Sequence, residues 1–237
     1  MTHYDIHSKI LKLKTTRKYR RDHSFSNFWI KTNRSVKLLK KIYKNIDDKI
    51  CLKEALCQFV ISDITAFEVY FRDIFLAMFS FCENDKELLS RCTKLVDKNF
   101  NLEDLIIMDA DDIGIPLLIL GFQNFQNLKN IEKVFSTITQ QKIFEILDKN
   151  EFYKGQPEGY VLQPLDKDWY SKLEEYLELR HNLTHDFNPR LKIDLERIME
   201  LHENLLGFVH AMDICLEWNF IQEHFRKNAK IGRKRKY

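Results

Sequence analysis

The sequence is poor in the two residues that build tight turns: its 237 residues include only 6 Gly and 4 Pro. A fold with many strands needs such turns repeatedly, so this scarcity argues against a many-stranded β protein. Aromatic side chains are plentiful, since 18 Phe are available to fill a core. The chain length suits one domain or two small ones.

Long apolar runs are also missing. No stretch approaches the roughly 18–20 apolar residues that a membrane-spanning helix requires. The N-terminal region has no apolar signal core. The five Cys are odd in number and form no CxxC pair, which is typical of reduced thiols packed as small apolar groups. These features predict a cytoplasmic protein with no membrane partner.

Positive charge is concentrated near both ends of the chain, although the net charge is only +3. Residues 1–44 contain thirteen Lys or Arg and two acids, and residues 226–237 contain seven Lys or Arg and no acid. Such segments suit RNA, because lysine and arginine displace counterions from phosphates. A frayed, solvated terminus is the alternative interpretation. The predicted RNA-binding residues of the last segment are Arg233, Lys234, Arg235 and Lys236.

Apolar residues recur every three or four positions along most of the chain, which is the pattern of amphipathic helices. The predicted fold is all-α, a single bundle of four or five long helices with small insertions. It occupies residues 24–225, between a basic N-terminal arm (1–23) and a basic C-terminal tail (226–237). The segment GIPLLILGF is compatible with a strand or with a buried turn. Helices are predicted at about 24–46, 52–81, 85–98, 101–109, 129–149, 166–187 and 191–225.

The stretch ELRHNLTHDFNPR (178–190) is unusually rich in polar residues for a helix. Pro189 disfavours helix at Asn188, so the letters RHNLTH fall in the last turns of the preceding helix. His181 and His185 are one turn apart and share a face. Arg180 and His185 are five residues apart, which separates them by about 140° around the helix axis.

Three interpretations of this stretch compete. The residues can be a polar helix end, where cations suit the helix dipole. They can be a metal site built on the HxxxH pair, although the Glu of HExxH and a third ligand are missing. They can also act on phosphate: His185 transfers protons near neutral pH, and Arg180 binds a phosphate through two donors and stabilises its charge.

An Arg followed by a His after four to six residues is the signature of the HEPN ribonucleases, and Arg180 with His185 resembles it. Arg17 with His23 has comparable spacing, but Arg17 is followed by Lys in the basic arm. Arg180 is followed by a polar residue, His181, at the junction of two bundle helices, which is where the family carries its motif.

A third pair, Arg197 with His202, also has this spacing. It is a weaker match, because Arg197 is followed by Ile inside an apolar-rich helix. The spacing by itself therefore does not identify the site.

The segment DITAFEVYFRDIF (63–75) resembles the earlier long helix of the HEPN family, which commonly carries an acidic and an aromatic residue. These would be Glu68 and Tyr70. The resemblance implies that Glu68 pairs with Arg180 and orients it; an exposed or ion-paired helix residue is the alternative. The resemblance covers roughly residues 25–225, with an insertion at about 85–165 that is long for a minimal member.

The resemblance implies a metal-independent, dimeric endoribonuclease without a cofactor. Two copies would meet across a two-fold axis, which would bring the divergent Arg180 and His185 of two chains around one phosphate. His185 would take the proton of a ribose 2′-OH, Arg180 would stabilise the phosphoryl oxygens, and His181 and Asn182 would orient these groups. Many members are toxins or anti-phage effectors, so a neutralising antitoxin is a possible partner beside RNA.

Two rival functions remain open on the sequence. The first is a non-catalytic HEPN-like module that binds RNA or nucleotide, or that only dimerises. The second is an unrelated helical scaffold in which the motif arises by chance. RNA cleavage separates an enzyme from a binding module, and the oligomeric state tests the scaffold.

Overall fold

The structure is a computed structural model that describes residues 24–81, 86–96, 114–151, 164–185 and 194–216, and residue 220. The predicted all-α class is confirmed, because this part of the chain forms helices and contains no strand. Its eight α-helices are α1 (Ser24–Asn45), α2 (Lys49–Phe81), α3 (Lys86–Cys92), α4 (Ile115–Phe122), α5 (Leu128–Thr139), α6 (Ile143–Asp148), α7 (Trp169–His185) and α8 (Leu195–Ile214).

The chain divides into two compact units. Among the described residues, the first unit contains 71–143 together with Ser24 and Phe220, and the second unit contains 25–70 and 144–216. Helix α2 contributes to both, with its division between Tyr70 and Phe71. The predicted insertion at 85–165 overlaps much of the first unit.

The first unit has an aromatic core. The Phe71 ring lies 5.6 Å from the Phe135 ring and 6.1 Å from the Phe125 ring, measured between centroids. All three side chains are fully buried, and burying a Phe side chain stabilises a fold by about 1.5–3 kcal/mol. Arg91 fastens α3 to α5, because its Nη1 donates a hydrogen bond to the carbonyl of Ile138 at 2.9 Å.

The second unit has a core of its own, built on Trp169 and Phe208. Their rings stack with centroids 5.1 Å apart, and Phe144 meets the Phe208 ring edge-on at 5.8 Å. The Trp169 indole N–H also donates to Asp148 Oδ1 at 2.8 Å. These contacts hold the first turn of α7 in place, and α7 carries the polar stretch.

Most predicted helices in the described residues are confirmed within a few positions, but one is wrong. The helix expected at 129–149 is two helices, α5 and α6. Gln140 ends α5 in the left-handed conformation, with φ of 57°, and an α-helix cannot continue through that conformation. The ambiguous segment GIPLLILGF forms helix α4, with a proline in its first turn. The helix predicted at 101–109 lies outside the described residues.

Three cysteines pack as small apolar groups, as expected. Cys57, Cys92 and Cys215 are buried free thiols, and Cys51 is an exposed one. Burial raises the pKa of Cys92 to about 12, so this thiol stays protonated. No described helix has the length and apolar content needed to cross a bilayer.

Candidate functional site

Helix α7 places its polar stretch by means of a buried stripe. Trp169, Leu173 and Tyr176 are buried, and their spacing of four and then three residues puts them on one side of the helix. Arg180 is the next residue in this series. It therefore points toward the core of the second unit, and its side chain is 19% exposed.

Glu68 meets Arg180 inside the second unit. The Glu68 carboxylate oxygen Oε1 lies 3.4 Å from Arg180 Nη2, and the Glu68 side chain is 8% exposed. The contact joins the two segments that the resemblance pairs, and an ion-paired helix residue, the alternative interpretation of Glu68, makes the same contact. At 3.4 Å the contact is an ion pair that is longer than a strong charge-assisted hydrogen bond.

Among the described residues, the contact with Glu68 leaves part of the Arg180 guanidinium without a hydrogen-bond partner. A guanidinium carries five N–H donors in a planar fork. Arg180 Nε is buried and makes no hydrogen bond with any described residue. Donors of this kind suit an anion with several oxygens, such as a phosphate, because two parallel hydrogen bonds form at once.

The two histidines lie on a different side of α7 from Arg180. His181 and His185 are exposed, and their ring centroids are 4.5 Å apart. This contact follows from their one-turn spacing. His185 therefore faces solvent while Arg180 faces the core, in keeping with the expected 140° divergence. One chain does not bring the guanidinium and this imidazole to a common point.

The other polar residues of the stretch that the structure describes are Asn182 and Thr184. Asn182 is half-buried, and its side chain makes no hydrogen bond with the described residues. The Thr184 hydroxyl donates to the carbonyls of Arg180 and His181 at 3.1 and 2.9 Å. A hydroxyl that donates to carbonyls of its own helix is typical of a surface threonine.

The HxxxH pair has no third ligand near it in the described part of the chain. There, no group of three or more His, Cys, Asp or Glu side chains is arranged to hold a metal ion.

The contacts of Arg197 and His202 indicate structural roles for both residues. His202 is 3% exposed, and its Nδ1 lies 2.8 Å from Asp63 Oδ2. The same carboxylate oxygen accepts a hydrogen bond from the Tyr176 hydroxyl at 3.0 Å. Burial, and then the charge of Asp63, raise the pKa of the Tyr176 phenol, which keeps its proton and donates it in this bond.

This buried cluster of Asp63, Tyr176 and His202 ties α2, α7 and α8 together. It lies close to the candidate site along both helices: Asp63 is five residues before Glu68, and Tyr176 is four residues before Arg180. Reasoning from the sequence missed the cluster. The available signal was an aspartate at an apolar position of α2, where an unpartnered carboxylate would be costly.

Arg197 belongs to a surface ion-pair network between α7 and α8. It contacts the carboxylates of Glu175 and Glu200. Lys172 contacts Glu200 at 3.2 Å and two further carboxylates, those of Asp166 and Asp168. These carboxylates accept hydrogen bonds from the Lys172 ammonium and raise its pKa, so this lysine is a fixed cation rather than a proton donor.

Several predicted site residues lie outside the described part of the chain. They are the predicted RNA-binding residues of the C-terminal tail, Arg233, Lys234, Arg235 and Lys236. The weaker match, Arg17 with His23, also lies outside it.

Comparison of the chain with the models of known protein families, with curated proteins and with solved structures finds no match in any of the three.

Proposed function

We propose that this protein is a metal-independent endoribonuclease of the HEPN type. The observation that carries the proposal is the ion pair between Glu68 and Arg180. It brings together the two sequence segments that resemble HEPN motifs, one on α2 and one near the end of α7.

The proposed reaction is an internal transesterification of RNA. The 2′-oxygen of a ribose attacks the adjacent phosphorus, the bond between phosphorus and the 5′-oxygen breaks, and a 2′,3′-cyclic phosphate and a 5′-hydroxyl result. An unprotonated His185 imidazole takes the 2′-OH proton. Water or His185 of a second copy returns a proton to the 5′-oxygen. Arg180 stabilises the negative charge that develops on the phosphoryl oxygens.

The supporting residues have roles that follow from their positions. Glu68 holds Arg180 by one edge of its guanidinium and leaves other donors for the phosphate. His181 lies against His185 and limits the directions that the His185 ring can take. Asn182 offers an amide that donates and accepts hydrogen bonds.

The active species is proposed to be a two-fold dimer. Arg180 and His185 face different directions on α7, so a phosphate held by one copy's Arg180 is attacked with the help of the other copy's His185. An isologous interface supplies such a composite site, because each copy presents the same patch. A monomer at micromolar concentration, measured by light scattering, would contradict this part of the proposal.

The decisive experiment is cleavage of mixed cellular RNA by the purified protein in excess EDTA. The expected result is cleavage that is undiminished by EDTA, with products that end in 2′,3′-cyclic phosphate. A substrate with one 2′-deoxyribose should resist cleavage at that position, because the attacking hydroxyl is absent.

Two results would count against the proposal. Activity that requires added zinc or magnesium would favour a metal site on His181 and His185. Tight RNA binding without cleavage would favour a non-catalytic module. If cleavage is found, we further propose a toxin or anti-phage role, which expression of wild-type and His185→Ala protein in growing cells would test.

A further inference from the structure

Helix α1 carries many positive charges that take no part in its packing. Its 22 residues include six Lys or Arg and no acid. The helix packs through one side, where Phe28, Thr32 and Leu39 are buried. The cationic side chains are all exposed.

Four of the cations form a line on the outward side. Arg34, Lys37, Lys41 and Lys44 follow one another at intervals of three, four and three residues, so they fall within about 80° around the helix axis. This arc lies opposite Phe28 and spans about 15 Å along the helix. We call these four residues the basic stripe.

The basic stripe has no counter-charge among the described residues. None of its four side chains forms an ion pair or hydrogen bond with any described residue. The cations Arg91, Lys172, Arg180 and Arg197 in α3, α7 and α8 contrast with them, since each contacts a carboxylate.

Like charges three or four residues apart destabilise a helix by a few tenths of a kcal/mol per pair. The basic stripe therefore costs α1 some stability, and an external polyanion would reverse that cost.

An exposed aromatic ring flanks the basic stripe. Trp29 is 46% exposed and precedes Lys37 by eight residues, which places it about 80° from Lys37 around the axis of α1, beside the basic stripe. The Phe25 ring supports the indole from behind, with its centroid 6.2 Å away and its plane inclined by 24°. A supported, exposed indole is a platform on which a nucleic acid base stacks.

The exposed apolar residues of α1 do not form a face that could enter a bilayer. The exposed large apolar residues are Trp29, Ile30 and Leu38, and they are spread over half of the circumference of α1, since Trp29 and Leu38 point in opposite directions. A membrane-binding helix needs its apolar residues on one side. Cations in a line beside an aromatic ring fit a single-stranded nucleic acid better, because it offers both phosphates and bases.

We propose that the basic stripe binds the phosphates of single-stranded RNA and that Trp29 stacks on one of its bases. The choice of RNA over another polyanion rests on the proposed ribonuclease function. The basic stripe and the candidate site belong to the same compact unit.

The last turn of α1 is coupled electrostatically to the residue that caps α8. Lys44 follows Tyr43, and burial and then the charge of Asp194 raise the pKa of the Tyr43 phenol. Asp194 caps α8, and Arg197 of α8 is bound to Glu175 of α7.

The test measures RNA binding separately from cleavage. All proteins carry His185→Ala, so that RNA stays intact, and a fluorescein-labelled oligouridylate reports binding by anisotropy across a series of salt concentrations. The stripe variant carries glutamine at Arg34, Lys37, Lys41 and Lys44. The matched control carries glutamine at four exposed lysines that are dispersed elsewhere: Lys94, Lys129, Lys133 and Lys149.

The stripe variant should bind the oligouridylate about tenfold or more weakly near 0.1 M salt, while the control should be affected much less. Its plot of log affinity against log salt should also flatten by about 0.7 for each phosphate that the protein no longer neutralises. Trp29→Ala should weaken binding by roughly fivefold or more and leave the salt slope unchanged, because stacking releases no counterions. Circular dichroism should show the same helix content in all variants, since the substituted side chains are exposed.

Equal weakening in the stripe variant and the control would overturn the proposal, since binding would then depend on net charge alone. Unchanged binding in the stripe variant would overturn it as well. Binding of vesicles that contain phosphatidylserine, without binding of oligouridylate, would assign the surface to a membrane instead. If RNA binding depends on the basic stripe but wild-type protein cleaves no RNA, the ribonuclease proposal fails and the binding surface stands.

Discussion

The carboxylate of Glu68 lies 3.4 Å from the guanidinium of Arg180, although the two residues belong to different helices, α2 and α7. Both side chains are largely buried. An ion pair in such a place limits the directions that the guanidinium can take, since the group is held at one edge. The pair is therefore the point at which the fold of the second unit and the proposed chemistry depend on each other.

Glu68→Gln should test the orienting role of the carboxylate. The amide keeps the shape of the side chain and removes its charge, so Arg180 stays in place with less restraint. The rate of RNA cleavage at saturating substrate should fall by roughly 10- to 100-fold, which is the scale of a misplaced catalytic group. Equal rates in wild type and variant would show that Glu68 has only a structural role.

Substitutions of Arg180 should separate charge from shape. Arg180→Lys keeps a cation near Glu68 and removes the planar fork, so cleavage should fall strongly while the urea midpoint changes little. Arg180→Ala should lower the free energy of unfolding as well, by roughly 1–3 kcal/mol, because it leaves the buried Glu68 carboxylate without this partner. Cleavage by Arg180→Lys at the wild-type rate would argue against a bidentate grip on phosphate.

The contact between Glu68 and Arg180 was expected, because the resemblance pairs the two segments that carry them. The inward direction of the Arg180 side chain could also be predicted, since Arg180 continues the series Trp169, Leu173, Tyr176 at helical spacing. The polar cluster on Asp63 could not be predicted, because its partners Tyr176 and His202 come from distant positions. Local patterns predict which residues share a helix face, but they do not show which faces meet.

The break between α5 and α6 escaped prediction for a different reason. The apolar positions of 129–149 keep helical spacing through the break, so the periodicity contains no sign of it. Gln140 adopts a left-handed conformation without the glycine that usually marks such a point. A helix end of this kind is set by packing on both sides of it, which the sequence pattern does not reveal.

The two neighbouring histidines of α7 provide a matched comparison. Both are exposed, and their rings are 4.5 Å apart, so either substitution should leave the fold intact. His185→Ala should reduce the rate of cleavage by about 10²–10⁴-fold, because it removes the proposed proton acceptor. His181→Ala should cost about tenfold or less, as expected for an orienting residue. A larger loss for His181→Ala than for His185→Ala would show that His181, and not His185, accepts the proton.

His202→Ala should act on stability rather than on chemistry. The side chain is buried against Asp63, and its removal leaves that carboxylate short of a partner in the core. The free energy of unfolding in urea should fall by roughly 1–3 kcal/mol, with cleavage retained at temperatures where the variant is folded. If His202→Ala abolished cleavage in a folded protein while His185→Ala did not, Arg197 and His202 would be the functional pair.

Mixing two inactive variants should reveal whether the site is shared between copies. One variant carries His185→Ala. The other carries Glu68→Gln together with Arg180→Gln, so that no lone charge remains buried in it. In a mixed dimer the first chain supplies Arg180 and the second supplies His185, which restores one complete set at the two-fold axis. Co-refolding equal amounts should yield about half mixed dimers, and cleavage should recover to a measurable fraction of the wild-type rate.

His185→Ala refolded with itself is the control and should stay inactive. No recovery in a mixture shown by differently sized tags to contain mixed dimers would mean that Arg180 and His185 act within one chain.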